Sequence, residues 1–268
     1  MLGESSMALT TILSCELPCM WARPAARRFS APRMAQTEIL SCELTYFPLW
    51  AKGPAPALAL AHSGLRWRGV FPDWPRLKPT TAFSKLPLLT VSQGAGRGST
   101  LAIQHELAIL AWIGRAVPEM AGTTDVDFAA SQQLMCECED IYAKLTKFQP
   151  TTSKPFKGSR EELTKLWTIV DQTVHNREQG LHVNLALLDA FGRSGNDGRF
   201  TASGVSVGEC KLYATLHTLA LIDPDVLRPH ARLGAFFERF AALEPSRAVI
   251  DTGGEMPGKF AQYFIAGS

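Results

Sequence analysis

The first feature of this sequence that could do chemistry is a tyrosine at the end of a strand-like segment. Tyr46 lies near the end of the mostly apolar run ILSCELTYF at 39–47, and a turn rich in proline and glycine follows it. Most tyrosines in such a place pack the ring and leave the hydroxyl in water. A hydroxyl there could instead donate a hydrogen bond to a thiolate. Because a free thiol titrates near pH ~8.5, such a donor would raise the fraction of reactive anion at neutral pH.

A second unusual residue is Pro87, which lies inside the strand-like segment KLPLLTV. Proline lacks the backbone N–H that a sheet ladder needs, so one interpretation is an edge strand with a trans proline. The other is a cis bond between Leu86 and Pro87, which would turn the backbone of Leu86 outward to pair with a peptide-like ligand. The residues alone leave both interpretations open.

The elements that would position these two residues form a small α/β unit. The segment APALALAHSG is predicted to be a helix that ends at Gly64, and LRWRGVF a second strand. KLPLLTV and STLAI are predicted to pair as a hairpin, and QHELAILAWIGRAV to form an amphipathic helix. This order of strands and helices predicts an α/β domain over 37–117.

The second half of the sequence predicts helices alone. A linker over 118–124 leads to an all-helical domain over 125–251, with a tail at 252–268. One long helix is expected from Asp125 to about 148, before Pro150. Capping-box patterns, in which Ser or Thr is followed three residues later by Glu, predict two further helix starts. They are formed by Ser159 with Glu162 and by Ser206 with Glu209.

The first 36 residues are predicted to be a disordered or transit-like leader. The segment ILSCEL occurs at 12–17 and again at 39–44, and residues 1–33 hold four arginines but only two acids. An arginine-rich, acid-poor composition is typical of organelle transit peptides. A copied exon or a misplaced start before Met34 is the alternative. The protein is therefore expected in the cytoplasm, or in a chloroplast or mitochondrion if the leader is a targeting signal.

The composition excludes several function classes. The 268 residues carry 27 Lys+Arg against 25 Asp+Glu, which gives no field that would favour nucleic acid. No apolar run approaches the roughly 18–20 residues that span a membrane. The six cysteines are too few and too scattered for a disulfide scaffold. Cys136 and Cys138 should lie on different sides of a helix, so they are a poor metal clip and no metal is expected.

Several short segments together carry a family resemblance. They are LTYF at 44–47, WPRLK at 74–78, AFSKLPLLTV at 82–91, QHELAI at 104–109, AG at 121–122, VSVGE at 205–209 and DPDVLRPHARL at 223–233. In this order and spacing, from Glu43 to Ile250, the sequence resembles a cytosolic glutathione transferase, most closely the Tyr-dependent sigma-type branch. The resemblance implies a thioredoxin-like first domain with a cis proline at Pro87, an all-α second domain and a homodimer.

The resemblance also implies the roles of individual residues, with glutathione as co-substrate. Tyr46 would stabilise the thiolate, and the Leu86 backbone would bond the cysteinyl peptide. Trp74 and Lys78 would hold the glycine end, and Asp140 would reach across the dimer toward the glutamyl amine. The whole set of implied glutathione-binding positions is Lys52, Trp74, Lys78, Ser84, Lys85, Leu86, Pro87, His105, Glu106 and Asp140.

The sequence departs from the family pattern at the start of the third helix. The family's Gln-Ser pair is His105-Glu106 here, and in the family that serine and the helix N-terminus receive the γ-glutamyl carboxylate. A carboxylate at Glu106 would repel this anion unless it swings outward to cap the helix, whereas His105 could still donate to the ligand. The family's arginine in the turn after Tyr46 corresponds to Lys52 or Pro54.

The resemblance implies a glutathione transferase that joins the glutathione thiolate to a small hydrophobic electrophile, and a prostaglandin-type isomerase reaction at the same site stays open. The alternative is a non-catalytic interaction module of this fold that has lost glutathione binding through His105-Glu106. A weaker option makes Cys19 the active group. Trp50, Tyr213 and aromatic residues near Phe236 could shape the electrophile pocket, although aromatics at helical spacing more often belong to a core.

Overall fold

The computed structural model of this chain describes residues 38–94, 99–147, 156–158, 180–192 and 198–266. Residues Thr37–Ser268 form one unit. Three sequence predictions lie outside the described residues, namely the leader at 1–36, the thiol of Cys19 and the capping box of Ser159 with Glu162. None of the described helices is long and apolar enough to cross a membrane.

The first half is built on a four-stranded sheet with the strand order β3-β1-β4-β5. Its strands are β1 (Ile39–Thr45), β3 (Trp67–Val70), β4 (Leu88–Gln93) and β5 (Ser99–Gln104). The β1 strand is parallel to β3 and antiparallel to β4, and β4 and β5 form the expected antiparallel hairpin. Alternate residues of β1 and β4 are buried, which places one face of the sheet against the helices.

Two helices cover this sheet. Helix α1 (Pro54–Ser63) begins with proline in its first turn and ends at Gly64, which has the left-handed φ of 70° that glycine adopts without strain. Helix α3 (Glu106–Ala116) follows β5 directly. A short strand, β2 (Leu49–Trp50), precedes α1, and the short helix α2 (Trp74–Leu77) follows β3. The predicted α/β arrangement is confirmed.

The described elements of the second half are mainly helical. They are α4 (Asp125–Lys147), β6 (Phe156–Gly158), α5 (Leu181–Phe191), α6 (Val207–Ile222), α7 (Ala231–Ala242), α8 (Glu244–Thr252), β7 (Ala261–Gln262) and β8 (Phe264–Ala266). The predicted tail is ordered where it is described, because β7 pairs with β2 and β8 pairs with β6. A domain boundary at 118–124 stays a prediction.

Helix α6 is the central element, because it contacts α1, α3, α4 and α7. It starts at the predicted capping box, in which the Ser206 hydroxyl accepts from the Glu209 N–H and the Glu209 side chain accepts from the Ser206 N–H. A Cβ at Gly208 would lie 2.3 Å from the Ser131 backbone oxygen. Glycine at this position therefore allows α6 to lie very close to α4.

The strand register brings three candidate residues to one end of the sheet. Thr45 pairs with Leu88, and Leu88 pairs with Gln104. Tyr46, Pro87 and Glu106 therefore lie close to one another, just beyond the same end of the sheet. The Leu86–Pro87 bond is cis, as the resemblance implied. The edge-strand interpretation of Pro87 is wrong, because Pro87 precedes β4 and β4 lies between two strands.

Candidate active site

The Tyr46 side chain is fixed where β1 ends. Only 6% of its surface is exposed, and its hydroxyl oxygen accepts a 2.9 Å hydrogen bond from the Lys52 backbone N–H. Gly53 makes this packing possible, because a Cβ there would lie 2.1 Å from the Tyr46 ring. The turn between β2 and α1 therefore holds the ring and binds the oxygen at the same time.

The surroundings of Tyr46 favour the neutral phenol. Burial raises the pKa of Tyr46 well above its ordinary value, and the hydrogen bond from the Lys52 backbone offsets this only in part. Tyr46 therefore carries its proton at neutral pH. Because its oxygen is already an acceptor, the O–H is available as a donor to another group.

A group of four charged side chains lies next to Tyr46, and we call Lys52, Glu106, Glu139 and Lys211 the ion cluster. The Lys211 ammonium lies 2.6 Å from Glu106 Oε2 and 2.7 Å from Glu139 Oε1. The Lys52 ammonium lies 2.6 Å from Glu139 Oε2 and 3.6 Å from Glu106 Oε2. Two ammonium groups thus alternate with two carboxylates, so the charges cancel within the cluster.

The ion cluster has a deep pair and an outer pair. The side chains of Lys211 and Glu106 are each 2% exposed, whereas those of Lys52 and Glu139 are 28% and 29% exposed. Tyr142 lies over the two lysines, with its ring centre 4.4 Å from Lys52 Nζ and 5.6 Å from Lys211 Nζ. A solute that approaches the cluster therefore meets Lys52 and Glu139 first.

The pKa values reflect these positions. Burial raises the pKa of Glu106, and Lys211 and Lys52 offset this only in part. Burial acts in the same direction on Glu139, but the two lysines outweigh it and lower its pKa to about 2. Burial would lower the pKa of Lys211, but Glu106 and Glu139 outweigh it and raise that pKa. Lys211 and Glu139 are therefore charged at neutral pH.

The structure corrects one expectation about Glu106. The sequence left open an outward rotation of its side chain, which would cap α3 and move the carboxylate away from the ligand. Instead, the side chain turns inward to Lys211, although Glu106 is the first residue of the helix. A buried ammonium attracts the carboxylate more strongly than the exposed turn does.

Two members of the ion cluster, Lys211 and Glu139, were not predicted from the sequence. A lone lysine is usually a surface residue, and Lys211 lies 105 positions from Glu106 in the chain. One signal was present, because α6 is nearly apolar on all sides and a helix of that kind is buried. A lysine inside such a helix needs an acidic partner, which the sequence alone does not identify.

Gln104 is a third residue that was missed, and it holds the loop before the cis bond. Its Nε2 donates to the Lys85 carbonyl at 2.6 Å, and its Oε1 accepts from the Phe83 N–H at 3.0 Å. Lys85 and Ser84 are exposed, and Ser84 has a positive φ of 50°. The loop that presents Ser84, Lys85 and Leu86 is therefore tied to the end of β5.

Other predicted binding residues surround this loop. Trp74 is half-buried and packs edge-on against Phe47, with ring centres 5.9 Å apart. Lys78 is exposed, and its backbone carbonyl accepts a 3.4 Å hydrogen bond from the Ser84 hydroxyl. His105 is exposed at the start of α3, with its ring 5.2 Å from that of Phe83. These residues can contact a solute along the rim of the loop.

Asp140 lies apart from the ion cluster. It is exposed on α4 and borders a groove with Leu187 and Phe191 of α5, while its neighbour Glu139 joins the cluster. The predicted role of Asp140 across a dimer stays a prediction. Trp50, Tyr213 and Phe236 are all buried, which confirms that they belong to the core.

Comparisons with known proteins agree on the fold. No family model matches the chain. Glutathione S-transferase 1 of Ascaris suum is 26% identical over 204 residues, which is 75% of this chain and 91% of that protein. The class-mu 28 kDa isozyme of glutathione S-transferase from Schistosoma japonicum is 27% identical over 126 residues, 46% of this chain and 58% of that protein.

Solved structures agree with these relatives. The sigma class GST of Fasciola hepatica superposes with a TM-score of 0.63 at 20% identity, over 79% of this chain and 95% of that chain. Since both mu and sigma names occur among the matches, they do not single out the sigma-type branch. The α/β sheet with its cis proline and the helical second half give this chain the fold of the glutathione transferases.

Proposed function

We propose that the protein is a glutathione transferase that activates the glutathione thiol with Tyr46. The observation that carries this proposal is the hydrogen bond of Tyr46. The Tyr46 oxygen accepts from the Lys52 backbone N–H and keeps its own proton, so the O–H can donate to a sulfur. The fold and the glutathione transferases among the relatives support the same conclusion.

The chemistry requires a modest shift of one pKa. A hydrogen bond to a charged group contributes about 2 kcal/mol, and one pKa unit corresponds to about 1.36 kcal/mol. A bond from Tyr46 to sulfur would therefore lower the thiol pKa from about 8.5 to about 7. The thiol proton leaves to solvent, and the thiolate forms a new bond to an electrophilic carbon of a small hydrophobic substrate. With a chloronitroarene, the carbon–chlorine bond then breaks and chloride leaves with its electron pair. No covalent bond to the protein forms.

The exposed loop would bind the rest of the peptide. In this proposal the Leu86 backbone pairs with the cysteinyl residue, and Trp74, Lys78 and Lys85 surround the glycine end. A lysine suits a carboxylate because the interaction is a charge-assisted hydrogen bond. The protein acts as a homodimer in which Asp140 reaches the neighbouring site.

The test is the pH profile of conjugation to a chloronitroarene by the full chain and its Tyr46→Phe variant. We expect kcat/KM at neutral pH to fall by about 30-fold, with the rising limb shifted about 1.5 pH units upward. Tyr213→Phe is the matched control, because Tyr213 is also buried but lies on α6, in the core. An unchanged profile in Tyr46→Phe, or no binding of glutathione by the folded protein, would overturn the proposal.

A further inference from the structure

The end of the described chain lies beside the candidate active site. We call Ala261–Ala266, which contains β7 and β8, the strap. Its first strand, β7, is parallel to β2, and β2 lies between Tyr46 and the turn that binds the Tyr46 hydroxyl. Its second strand, β8, is parallel to β6 and contacts α6. The strap therefore connects the α/β half to the helical half next to Tyr46.

Two aromatic residues of the strap lie close to the groups of the site. Phe264 is 1% exposed, and its ring packs edge-on against that of Tyr142, with ring centres 5.7 Å apart. Tyr142 in turn lies over the two lysines of the ion cluster. Burial is the main cause of the raised pKa of Tyr46 and of Tyr142, and the nearby phenol of Tyr263 raises both further. Tyr263 and Phe264 therefore close the side of Tyr46 that faces α4.

We propose that the strap is an autoinhibitory segment, which occupies the place from which the electrophile must approach the sulfur and which must leave before conjugation. This inference rests on the proposed function and adds a regulation of the same site. In that function the Leu86 loop of the α/β half binds the peptide. The electrophile then reaches the sulfur from the helical half, where Tyr142 and the strap lie.

The strap is held weakly enough to open while the rest of the chain stays folded. It pairs through two residues with β2 and through three with β6. Gln262 Nε2 adds bonds to the carbonyls of Leu221 at 2.9 Å and Phe264 at 2.8 Å. Among its described side chains only that of Phe264 is buried. Segments with so few buried contacts open locally at a low free energy.

The segment before the strap is fixed, which limits the movement to the residues after Phe260. The Gly69 N–H donates to the Glu255 carbonyl at 2.8 Å, and the side chains of Met256 and Phe260 are buried. A Cβ at Gly69 would lie 2.1 Å from Met256 Sδ, so glycine allows this close contact with β3. Opening of the strap therefore leaves the sheet and its edge intact.

The first experiment measures backbone hydrogen exchange of the full chain by mass spectrometry, with glutathione and with S-hexylglutathione. The hexyl group of the second probe lies where the electrophile would lie. We expect the amides of the strap to exchange about 10-fold faster with S-hexylglutathione, because this ligand binds only the open form. Glutathione alone should change their exchange by less than about 2-fold.

An increase in exchange on binding distinguishes a segment that is displaced from one that closes on the ligand. Slower exchange of the strap with S-hexylglutathione would mean that it covers the bound ligand as a lid, which overturns the inference. An unchanged rate with the bound ligand would mean that the strap does not occupy the electrophile's place, and it overturns the inference too.

The second experiment measures kcat/KM for conjugation of glutathione to a chloronitroarene by the full chain and its Phe264→Ala variant. We expect a rise of about 5-fold, because loss of the buried ring shifts the population toward the open form. Phe200→Ala is the matched control, since Phe200 is 3% exposed but lies in the segment before α6. It should not raise kcat/KM, and an equal rise there would overturn the inference.

A milder variant covers the case in which Phe264→Ala does not fold. Gln262→Ala removes the two side-chain bonds of the strap from a partly buried position and should raise kcat/KM by about 2-fold. An unchanged or lower kcat/KM in the folded strap variants, with glutathione still bound and Tyr46→Phe impaired, overturns the inference while the proposed function stands. Failure of the folded parent to bind glutathione overturns both.

Discussion

The first turns of α3 and α6 each bury a glutamate, but they satisfy its carboxylate in different ways. In α6, Glu209 accepts from the backbone N–H groups of Phe200, Thr201 and Ser206. In α3, Glu106 has side-chain cations on one oxygen and no partner on the other. Burial raises the pKa of both carboxyls.

This difference in hydrogen bonding indicates that Glu209 stabilises the fold, whereas Glu106 belongs to the candidate active site. Glu209 is bonded by its own helix and by the segment just before it, so a ligand has nothing to add. Glu106 depends on Lys211, which arrives from a distant helix, and one acceptor remains open. A buried acceptor atom without a hydrogen bond, next to the candidate active site, is therefore a stronger indication of function than burial alone.

The largest expected effect comes from the cation in the deep pair. Lys211→Met should lower the free energy of unfolding by about 4 kcal/mol, because it leaves Glu106 buried without its main counter-charge. Lys52→Met is the control in the outer pair and should cost less than about 1 kcal/mol. Urea denaturation of both variants measures the difference. Equal losses would show that the two pairs do not differ as described.

The second prediction compares the two glutamates directly. Glu209→Gln should lower the free energy of unfolding by about 2 kcal/mol, since glutamine removes the negative charge and replaces one of the two acceptor oxygens with an NH2 donor. Glu106→Gln should change it by less than about 1 kcal/mol, because Lys211 keeps its bond to Glu139. Denaturant midpoints of the matched pair test this order, and a reversed order would contradict the comparison.

A third prediction concerns the residues that precede the two helices. Ser206→Ala should lower the free energy of unfolding by about 1 kcal/mol, because Ser206 is a bonded N-cap. His105 has a φ of 69°, no cap bond and a strained backbone. His105→Gly should therefore raise the free energy of unfolding by about 1 kcal/mol. Thermal unfolding measures both, and a destabilised His105→Gly protein would show that the ring contributes more than the strain costs.

The smallest effect is expected in acid, from Glu139. Its folded pKa of about 2 lies below its ordinary value of about 4.3, so its contribution is present above pH ~4.3. That contribution is lost as the pH falls toward 2. Glu106 and Glu209 have raised pKa values and act in the opposite direction. Since Glu139 is partly exposed, water screens the effect.

The measurement compares urea unfolding of the parent and of Glu139→Gln between pH 2 and pH 6, the range that contains the shift to about 2. The difference between the two proteins should stay constant above pH ~4.3 and shrink below it. A difference that grows on acidification would mean that Glu139 is not held ionised by the two lysines.

The sequence by itself determined the local elements of this protein. The end of α1 at Gly64 and the capping box of α6 follow from residues within a few positions of each other, so local preference decides them. Tyr46 stood out because it lies where a strand meets a turn rich in proline and glycine. The collinear segments then indicated the order of the remaining parts.

The tertiary structure decided the electrostatics of the site. The four members of the ion cluster come from one turn and three helices, and no local pattern brings them together. Their pairing depends on the packing of α6 against α3 and α4, and burial gives it its strength. The inward turn of Glu106 was unpredictable for this reason, because the lysine that attracts it is 105 residues away in the chain.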